Sequence, residues 1–238
     1  MARTNVTDIA AKRLQEMIQS GELPPDQQLP SQLALSEQLG ISRASLREAL
    51  STLETLGFLR IEPGRGTFVA TANPTKSGQL AARAIGGRYA KQDVYQTRLY
   101  LESLVVAEVV TAVTDADLSA LNEATTLMCE AWERQDLVTV INHDRTFHHT
   151  LWQICPNALL RDLCFGLAEE FSATRSYPLP ATREARFKAS ANEHFALVDA
   201  IAQRQTAQAV ALMQRHIFNT AAAAGIDLHP LTDRGASN

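Results

Sequence analysis

The sequence contains no long apolar segment, no low-complexity tract and no internal repeat. None of its apolar runs approaches the roughly 18 uninterrupted residues that a membrane helix needs. The first residues, MARTNVTDIAAKRL, also lack the apolar core of a secretory signal. Hydrophobic residues make up 45% and charged residues 20% of the 238 residues, which is typical of globular domains. We therefore expect a cytoplasmic protein, without a membrane partner, that is long enough for two domains.

Cysteine is scarce, and its pattern argues against the common cysteine-based sites. Cys129, Cys155 and Cys164 form an odd set without a CxxC pair, and all three lie among apolar residues in segments of helical character. No cysteine–histidine pairing emerges from the pattern. We interpret the three as small core residues in a reducing compartment, and we predict no catalytic residue and no enzyme.

Positive charge is not in excess either. The net charge is −4 at pH 7, and residues 1–70 carry seven basic against eight acidic side chains. Affinity for nucleic acid depends on lysines and arginines that neutralise phosphates. Any DNA-binding surface must therefore be a local cluster.

The N-terminal part has the pattern of short helices. Apolar residues recur at helical spacing over 6–18. Ser31 and Ser42 can each cap a following helix, and Gly40 separates these two helices. Two short helices joined by a turn that contains glycine are typical of a helix-turn-helix.

A β-hairpin is predicted next. Two β-prone runs, 58–62 and 67–70, are joined by Pro-Gly-Arg-Gly. The polar segment that follows indicates an inter-domain linker over residues 72–78. We therefore predict a winged helix-turn-helix domain over residues 1–71.

No strand pattern appears after the linker. The remaining segments of helical character lie near residues 79–89, 93–113, 115–134, 137–154, 157–175, 182–204 and 206–223. They predict an all-α bundle of six or seven helices over residues 79–226, followed by a tail over 227–238. The predicted fold class is therefore mostly α.

The segment LPSQLALSEQLGISRASLREALSTLETLGFLRIEPGRGTFV resembles the winged helix-turn-helix of the GntR family of bacterial transcription factors. Its Leu-Pro pair, LGISR turn, LREAL helix and GxGT wing occur in the order and spacing of that family. Where the family commonly has an acidic residue and an arginine after Leu-Pro-Ser, this chain has Gln32 and Leu33. A recognition helix enters the major groove with its N-terminal residues. The residues expected at the DNA are Ser42, Arg43, Ala44, Ser45, Arg47, Gly64, Arg65 and Gly66.

Two arginines of this helix lie one turn apart. Arg43 and Arg47 can both point away from the apolar face that contains Leu46 and Leu50. Arginine can bind guanine through two hydrogen bonds or clamp a phosphate. The alternative is a pair of solvated surface charges.

Four polar residues interrupt apolar faces in the C-terminal helices. Asp144 and His148 are four residues apart and share a helix face, whereas His194 and His216 each lie on an apolar stripe of another helix. Three histidines and one aspartate form a donor set suited to Zn²⁺, Ni²⁺, Mn²⁺ or Fe²⁺. The alternative is a cluster of hydrogen-bonded core histidines. The histidines expected at the surface are His143, His149 and His229.

Residues 79–224 resemble the helical FCD effector domain, which defines the FadR subfamily of GntR regulators. The resemblance rests on VYQTRLYLES, INHDRTFHHTLW, ANEHFALVDAI and ALMQRHIF. It implies that the aspartate and the three histidines hold a divalent metal, with zinc as the first expectation. It also implies that Arg98 lines an effector cavity, where a guanidinium beside a metal favours a carboxylate. The alternative is a helix-surface pair between Arg98 and Glu102. The expected effector-binding residues are Arg98, Asn192 and Asn219.

These expectations combine into a homodimeric transcriptional regulator. Two winged heads would bind a roughly palindromic, double-stranded operator, and a small organic acid at the metal would change their arrangement. Repression relieved by the effector is the expected outcome. Two alternatives stay open. One is a metal-free regulator that senses an acyl ligand, and the other is a metal-dependent hydrolase fused to a DNA-binding head.

Overall fold

The computed structural model describes residues 6–70, 89–176 and 184–230. These residues contain ten helices and one two-stranded sheet, so the protein is mostly α, as the sequence predicts. Their contacts divide them into two compact units. The N-terminal unit contains residues 6–70 and 130–142, and the C-terminal unit contains residues 89–129, 143–176 and 184–230.

The N-terminal unit begins with the predicted helix-turn-helix. Ser31 caps the second helix by accepting a hydrogen bond from the Ala34 N–H at 3.2 Å, and Ser42 caps the third by accepting one from the Ser45 N–H at 3.1 Å. Gly40 lies between them with φ of 64°, in the left-handed region that glycine adopts readily. Both predicted caps are therefore confirmed. The helices are α1 (Val6–Gln19), α2 (Gln32–Leu39) and α3 (Arg43–Thr55).

A hairpin follows the third helix. Strands β1 (Leu59–Glu62) and β2 (Gly66–Val69) pair antiparallel, with Leu59 opposite Val69 and Glu62 opposite Gly66. The strands agree with the predicted runs to within a residue, and the predicted wing is confirmed. Apolar side chains of α1, α3 and both strands form the buried centre of this part of the unit. They include Leu14, Leu46, Leu50, Leu53, Leu59 and Val69.

Seven helices lie in the rest of the described chain. The helix α4 packs against α10, α8 and α7, and α9 packs against α10. The core between them contains large apolar side chains such as Tyr95, Phe147 and Trp152. Cys155 and Cys164 are buried, as expected, whereas Cys129 is half-buried. The helices are α4 (Lys91–Ala112), α5 (Asp115–Glu133), α6 (Leu137–Ile154), α7 (Ala158–Gly166), α8 (Ala168–Ser176), α9 (Glu184–Ala202) and α10 (Thr206–Ala223).

The single helix predicted over 157–175 is wrong, because the chain bends at Leu167. This residue has φ of −107° and ψ of 14°, and its N–H donates to the carbonyls of Leu163 and Cys164. Gly166, which is unfavourable inside a helix, comes directly before the bend. Two short helices, α7 and α8, therefore replace one long helix.

Some expectations fall outside the described residues. The predicted linker lies there entirely, as do the predicted helix near 79–89, apart from its last residue, and most of the predicted tail. Within the described ranges, no helix is both long enough and apolar enough to cross a membrane.

Candidate functional site

Four buried side chains converge in the C-terminal unit. Asp144 and His148 come from α6, His194 from α9 and His216 from α10. One nitrogen or oxygen atom from each lies within 4.8 Å of the corresponding atoms of the others. The four residues singled out in the sequence therefore meet in one cluster.

His194 is held by stacking rather than by hydrogen bonds. Its ring lies parallel to the Phe147 ring, with centroids 4.0 Å apart and an interplanar angle of 3°. It is 1% exposed, and neither ring nitrogen has a hydrogen-bond partner within the described residues. Its Nε2 lies 3.6 Å from Asp144 Oδ1. Burial lowers the pKa of His194 well below its usual value, and the neighbouring His216 adds to this effect. The ring is therefore neutral near pH 7.

His148 lies between two charged side chains of α4. Its Nδ1 is 2.9 Å from Glu102 Oε2, and its Nε2 is 3.0 Å from a terminal nitrogen of Arg98. A carboxylate at Nδ1 favours a proton on that atom, which leaves Nε2 as the acceptor. Arg98 also donates to Glu102 Oε2 at 3.3 Å and to Thr174 Oγ1 at 3.2 Å. Since Arg98 is 1% exposed, its pair with Glu102 is buried, and the alternative of a helix-surface pair is wrong.

Glu193 fixes the orientation of His216. His216 Nδ1 lies 2.8 Å from Glu193 Oε2, Arg186 donates two hydrogen bonds to the same carboxylate at 3.0 and 2.7 Å, and Asn219 donates another at 2.7 Å. Burial acts to raise the pKa of Glu193, but the hydrogen bonds from His216, Arg186 and Asn219 outweigh it and lower the pKa from 4.5 to about 2. The ionised carboxylate favours a proton on Nδ1 of His216 and leaves its Nε2 as the acceptor.

Glu193 is not among the residues predicted from the sequence, and Glu102 is predicted only as a partner of Arg98. Glu193 directly precedes His194, so the helical period does not place the two on one face. The contact with His216 arises only because α9 packs against α10. Glu102 offered a signal, since it lies one turn after Arg98 on the same helix.

Other expected residues lie elsewhere. Asn192 is exposed on α9, and Asn219 reaches the cluster only through its hydrogen bond to Glu193. The expectation that His149 is a surface residue is wrong. Its ring is half-buried against Trp152 and Phe165, with centroid distances of 4.6 and 5.5 Å.

A second candidate surface lies on α3. Arg43, Ala44 and Arg47 are exposed, whereas Leu46 on the opposite face is buried. Ser42 and Ser45 share a hydrogen bond of 3.0 Å between their hydroxyl groups at the start of the helix. The first two turns of α3 thus present two arginines and small side chains to solvent.

The wing lies in the same unit and is held by Gln28. The side-chain nitrogen of Gln28 donates to the Arg65 carbonyl at 2.8 Å, and a side chain at Gly66 would come within 2.6 Å of that nitrogen. Gly66 has φ of 121°, so glycine is required there for two reasons. The Arg65 side chain is 75% exposed and lies 2.5 Å from Glu62. The tip of the wing therefore offers a basic side chain to solvent.

Comparison with known sequences gives the family. The FCD domain family matches residues 93–219, and the family of bacterial regulatory proteins called gntR matches residues 7–69. This chain is a GntR-family transcriptional regulator with an FCD domain. The GntR domain implies binding to DNA, and the FCD domain implies a small-molecule effector.

Relatives of this GntR regulator include two repressors. The HTH-type transcriptional repressor NanR of Enterobacter sp. (strain 638) is 27% identical over 226 residues, which cover 93% of this chain and 86% of the relative. NanR of Citrobacter rodentium (strain ICC168) is 28% identical over 228 residues, with coverage of 93% and 86%. Both relatives are named as transcriptional repressors, and neither is named as an enzyme.

A solved structure of the same fold is E. coli McbR/YncC. It matches with a TM-score of 0.55 and 21% identity, over 94% of this chain and 98% of the other. This similarity supports the fold of the chain and nothing more specific.

Proposed function

We propose that this GntR regulator is a repressor whose binding to operator DNA is controlled by a small carboxylate at a divalent-metal site. The observation that carries the proposal is the convergence of Asp144, His148, His194 and His216, with candidate ligand atoms within 4.8 Å of one another. The two NanR relatives are named as repressors, which supports the sign of regulation.

The donor set fits a metal ion. Two buried ring nitrogens of His194 have no hydrogen-bond partner within the described chain, and such atoms destabilise a fold unless another group binds them. Three imidazoles and one carboxylate suit Zn²⁺ first, with Ni²⁺, Mn²⁺ and Fe²⁺ as alternatives. Because carboxylates lie at Nδ1 of His148 and His216, Nε2 is the expected ligand atom of both. At His148, a bound ion would replace the hydrogen bond from Arg98 to Nε2. A bound ion would supply positive charge and an open position for an effector oxygen.

Arg98 is the proposed partner of the effector. Its buried guanidinium lies 3.0 Å from His148 Nε2 and carries a positive charge at the edge of the cluster. The planar guanidinium binds carboxylates through paired hydrogen bonds, so one carboxylate could contact both the ion and Arg98. Asn219, which donates a hydrogen bond to Glu193, is a second polar group proposed for effector binding. Asn192 is exposed, so it would contact an effector only from outside the buried cluster. The alternative of a metal-free regulator that senses an acyl ligand is disfavoured. It needs a hydrogen-bonded histidine cluster, and the ring nitrogens of His194 have no hydrogen-bond partner within the described residues.

The DNA surface combines α3 with the wing. We assign Arg43 and Arg47 to base edges or phosphates, and the small residues beside them allow close approach of the helix. A homodimer with twofold symmetry would present two such surfaces to a palindromic operator. The full proposed contact set is Ser42, Arg43, Ala44, Ser45, Arg47, Gly64, Arg65 and Gly66.

Metal content tests the proposal directly. The measurement is inductively coupled plasma mass spectrometry on protein purified without an affinity tag or added metal. We expect about one divalent ion per chain, lost in the His148→Ala/His194→Ala double variant. His229→Ala is the matched control, because His229 is exposed, and it should keep the ion. A wild-type chain that holds no ion even after reconstitution with divalent metals would refute the metal site and leave the DNA-binding function intact.

A further inference from the structure

A buried glutamine joins α1 to the start of α6 within the N-terminal unit. Gln15 is 1% exposed. Its side-chain oxygen accepts a hydrogen bond from the Val138 N–H at 3.1 Å, and its side-chain nitrogen donates to the Gln135 carbonyl at 3.3 Å. A polar side chain of α1 is therefore used for contact with a distant segment rather than for contact with solvent.

Two more side chains of α1 reach the same turn. Gln19 donates to the Gln135 carbonyl at 2.9 Å, and Lys12 Nζ lies 2.8 Å from Asp136 Oδ2. Lys12, Gln15 and Gln19 are three and four residues apart, so they share one face of α1. We call these three residues the docking stripe. Gln135 has φ of 57°, which is uncommon for a residue other than glycine.

The docking stripe also completes the N-terminal cap of α6. The first N–H groups of a helix have no partner within that helix. The Thr139 N–H donates to the Asp136 side chain at 3.1 Å, whereas the Val138 N–H donates to Gln15. Helix α1 thus supplies part of the cap of the helix that carries two of the four candidate metal ligands.

We propose that the docking stripe is the contact through which ligand binding on α6 is transmitted to the DNA-binding head, residues 6–70. The inference rests on the proposed metal-dependent function. Helix α6 is continuous from Leu137 to Ile154, and Asp144 lies about 9 Å from Val138 along its axis. A shift or rotation of α6 that accommodates a ligand moves the Val138 N–H relative to Gln15. Hydrogen bonds tolerate little misalignment, so α1 either follows α6 or loses the contact.

Hydrogen–deuterium exchange of the full chain, with Zn²⁺ alone as the ligand, tests this coupling. In the wild type, we expect Zn²⁺ to change the exchange of peptides that cover α1 and residues 135–140. In Gln15→Met, which keeps the side-chain volume, the Val138 amide should exchange about tenfold faster, because it loses its acceptor. The effect of Zn²⁺ on α1 should disappear in this variant, while its zinc content stays at the wild-type level.

The control replaces an exposed glutamine of α10. Gln208→Met should respond to Zn²⁺ as the wild type does. Should Gln15→Met fail to fold, Lys12→Ala, at the exposed edge of the docking stripe, should reduce the effect of Zn²⁺ on α1.

Two results would overturn the coupling alone. One is an undiminished effect of Zn²⁺ on α1 in the folded docking-stripe variant. The other is a zinc-loaded wild type in which the exchange of α1 is unchanged. A wild type that binds no zinc would overturn the proposed function and the coupling together, and metal content reports that outcome separately.

Discussion

Replacing His194 with leucine should stabilise the metal-free protein and remove its response to metal. His194 is 1% exposed, and its ring nitrogens have no hydrogen-bond partner in the part of the chain that is described. A buried polar group without a partner costs about 1–3 kcal/mol of stability. Leucine has a similar volume and no polar atom, so this cost disappears. The lost stacking on Phe147, worth about 0.5–1.5 kcal/mol, offsets part of the gain.

The difference in free energy of unfolding between the variant and the wild type should change sign between metal-free and zinc-containing buffer. Without metal, the variant should exceed the wild type in free energy of unfolding by about 0.5–1.5 kcal/mol. With free zinc at 100 times its Kd, the wild type gains about 2.7 kcal/mol, and a variant that lacks one ligand gains little. For a chain of this size, 1 kcal/mol corresponds to a Tm shift of about 2–4 °C. The variant should therefore melt higher in chelator and lower in zinc.

Thermal melting followed by circular dichroism, in chelator and in zinc, measures the Tm difference between the variant and the wild type under both conditions. His229→Leu serves as the control, because His229 is exposed, and it should behave as the wild type. The reasoning would be refuted by a His194→Leu variant that loses about 2–5 kcal/mol in chelator, as core disruptions do, and still gains as much from zinc as the wild type. That result would mean that the ring nitrogens are neither unpaired nor metal ligands.

Three further predictions concern the other contacts. Arg47→Ala should weaken binding to a DNA site selected from random sequences by about 1–3 kcal/mol in fluorescence anisotropy, and unchanged affinity would contradict the role of α3. Glu193→Gln removes the charged partner of His216 and should lower metal affinity roughly 10- to 100-fold in chelator competition, whereas unchanged affinity would contradict this role. Burial acts to raise the pKa of Asp136, but hydrogen bonds, first of all with Lys12, outweigh it and hold the pKa below 3.8. Asp136 therefore stabilises the fold above about pH 3.8, and this contribution is lost as the pH falls below that value. When Tm is measured against pH, Asp136→Asn should lack the part of the acid-induced fall in Tm that comes from Asp136. An unchanged dependence of Tm on pH in that variant would contradict the role of Asp136.

The winged helix-turn-helix could be predicted from the sequence because local signals determine it. Ser31 and Ser42 provide caps within three residues of the N–H groups that they bind. Gly40 provides the left-handed turn, and the wing follows from β-prone runs on either side of a glycine-rich turn. Each of these signals lies within a few residues of the structure that it specifies.

The candidate metal ligands were predictable for a related reason. The helical period places Asp144 and His148 on one face, and it places His194 and His216 on faces that are otherwise apolar. Such faces turn toward a core, so the four residues were expected to meet. Periodicity could not show which ring nitrogens have partners, because that depends on the side chains of other helices.

Tertiary structure alone decided the contacts that orient these residues. The bond from His216 to Glu193 joins two helices across 23 residues, and the bond from Val138 to Gln15 spans 123 residues. The bend at Leu167 likewise interrupts a segment whose apolar spacing predicts one helix. The sequence determined which faces are apolar and where most helices begin, because those properties are local. The partners of buried polar atoms depend on how whole helices pack, and the period of a single helix does not contain that information.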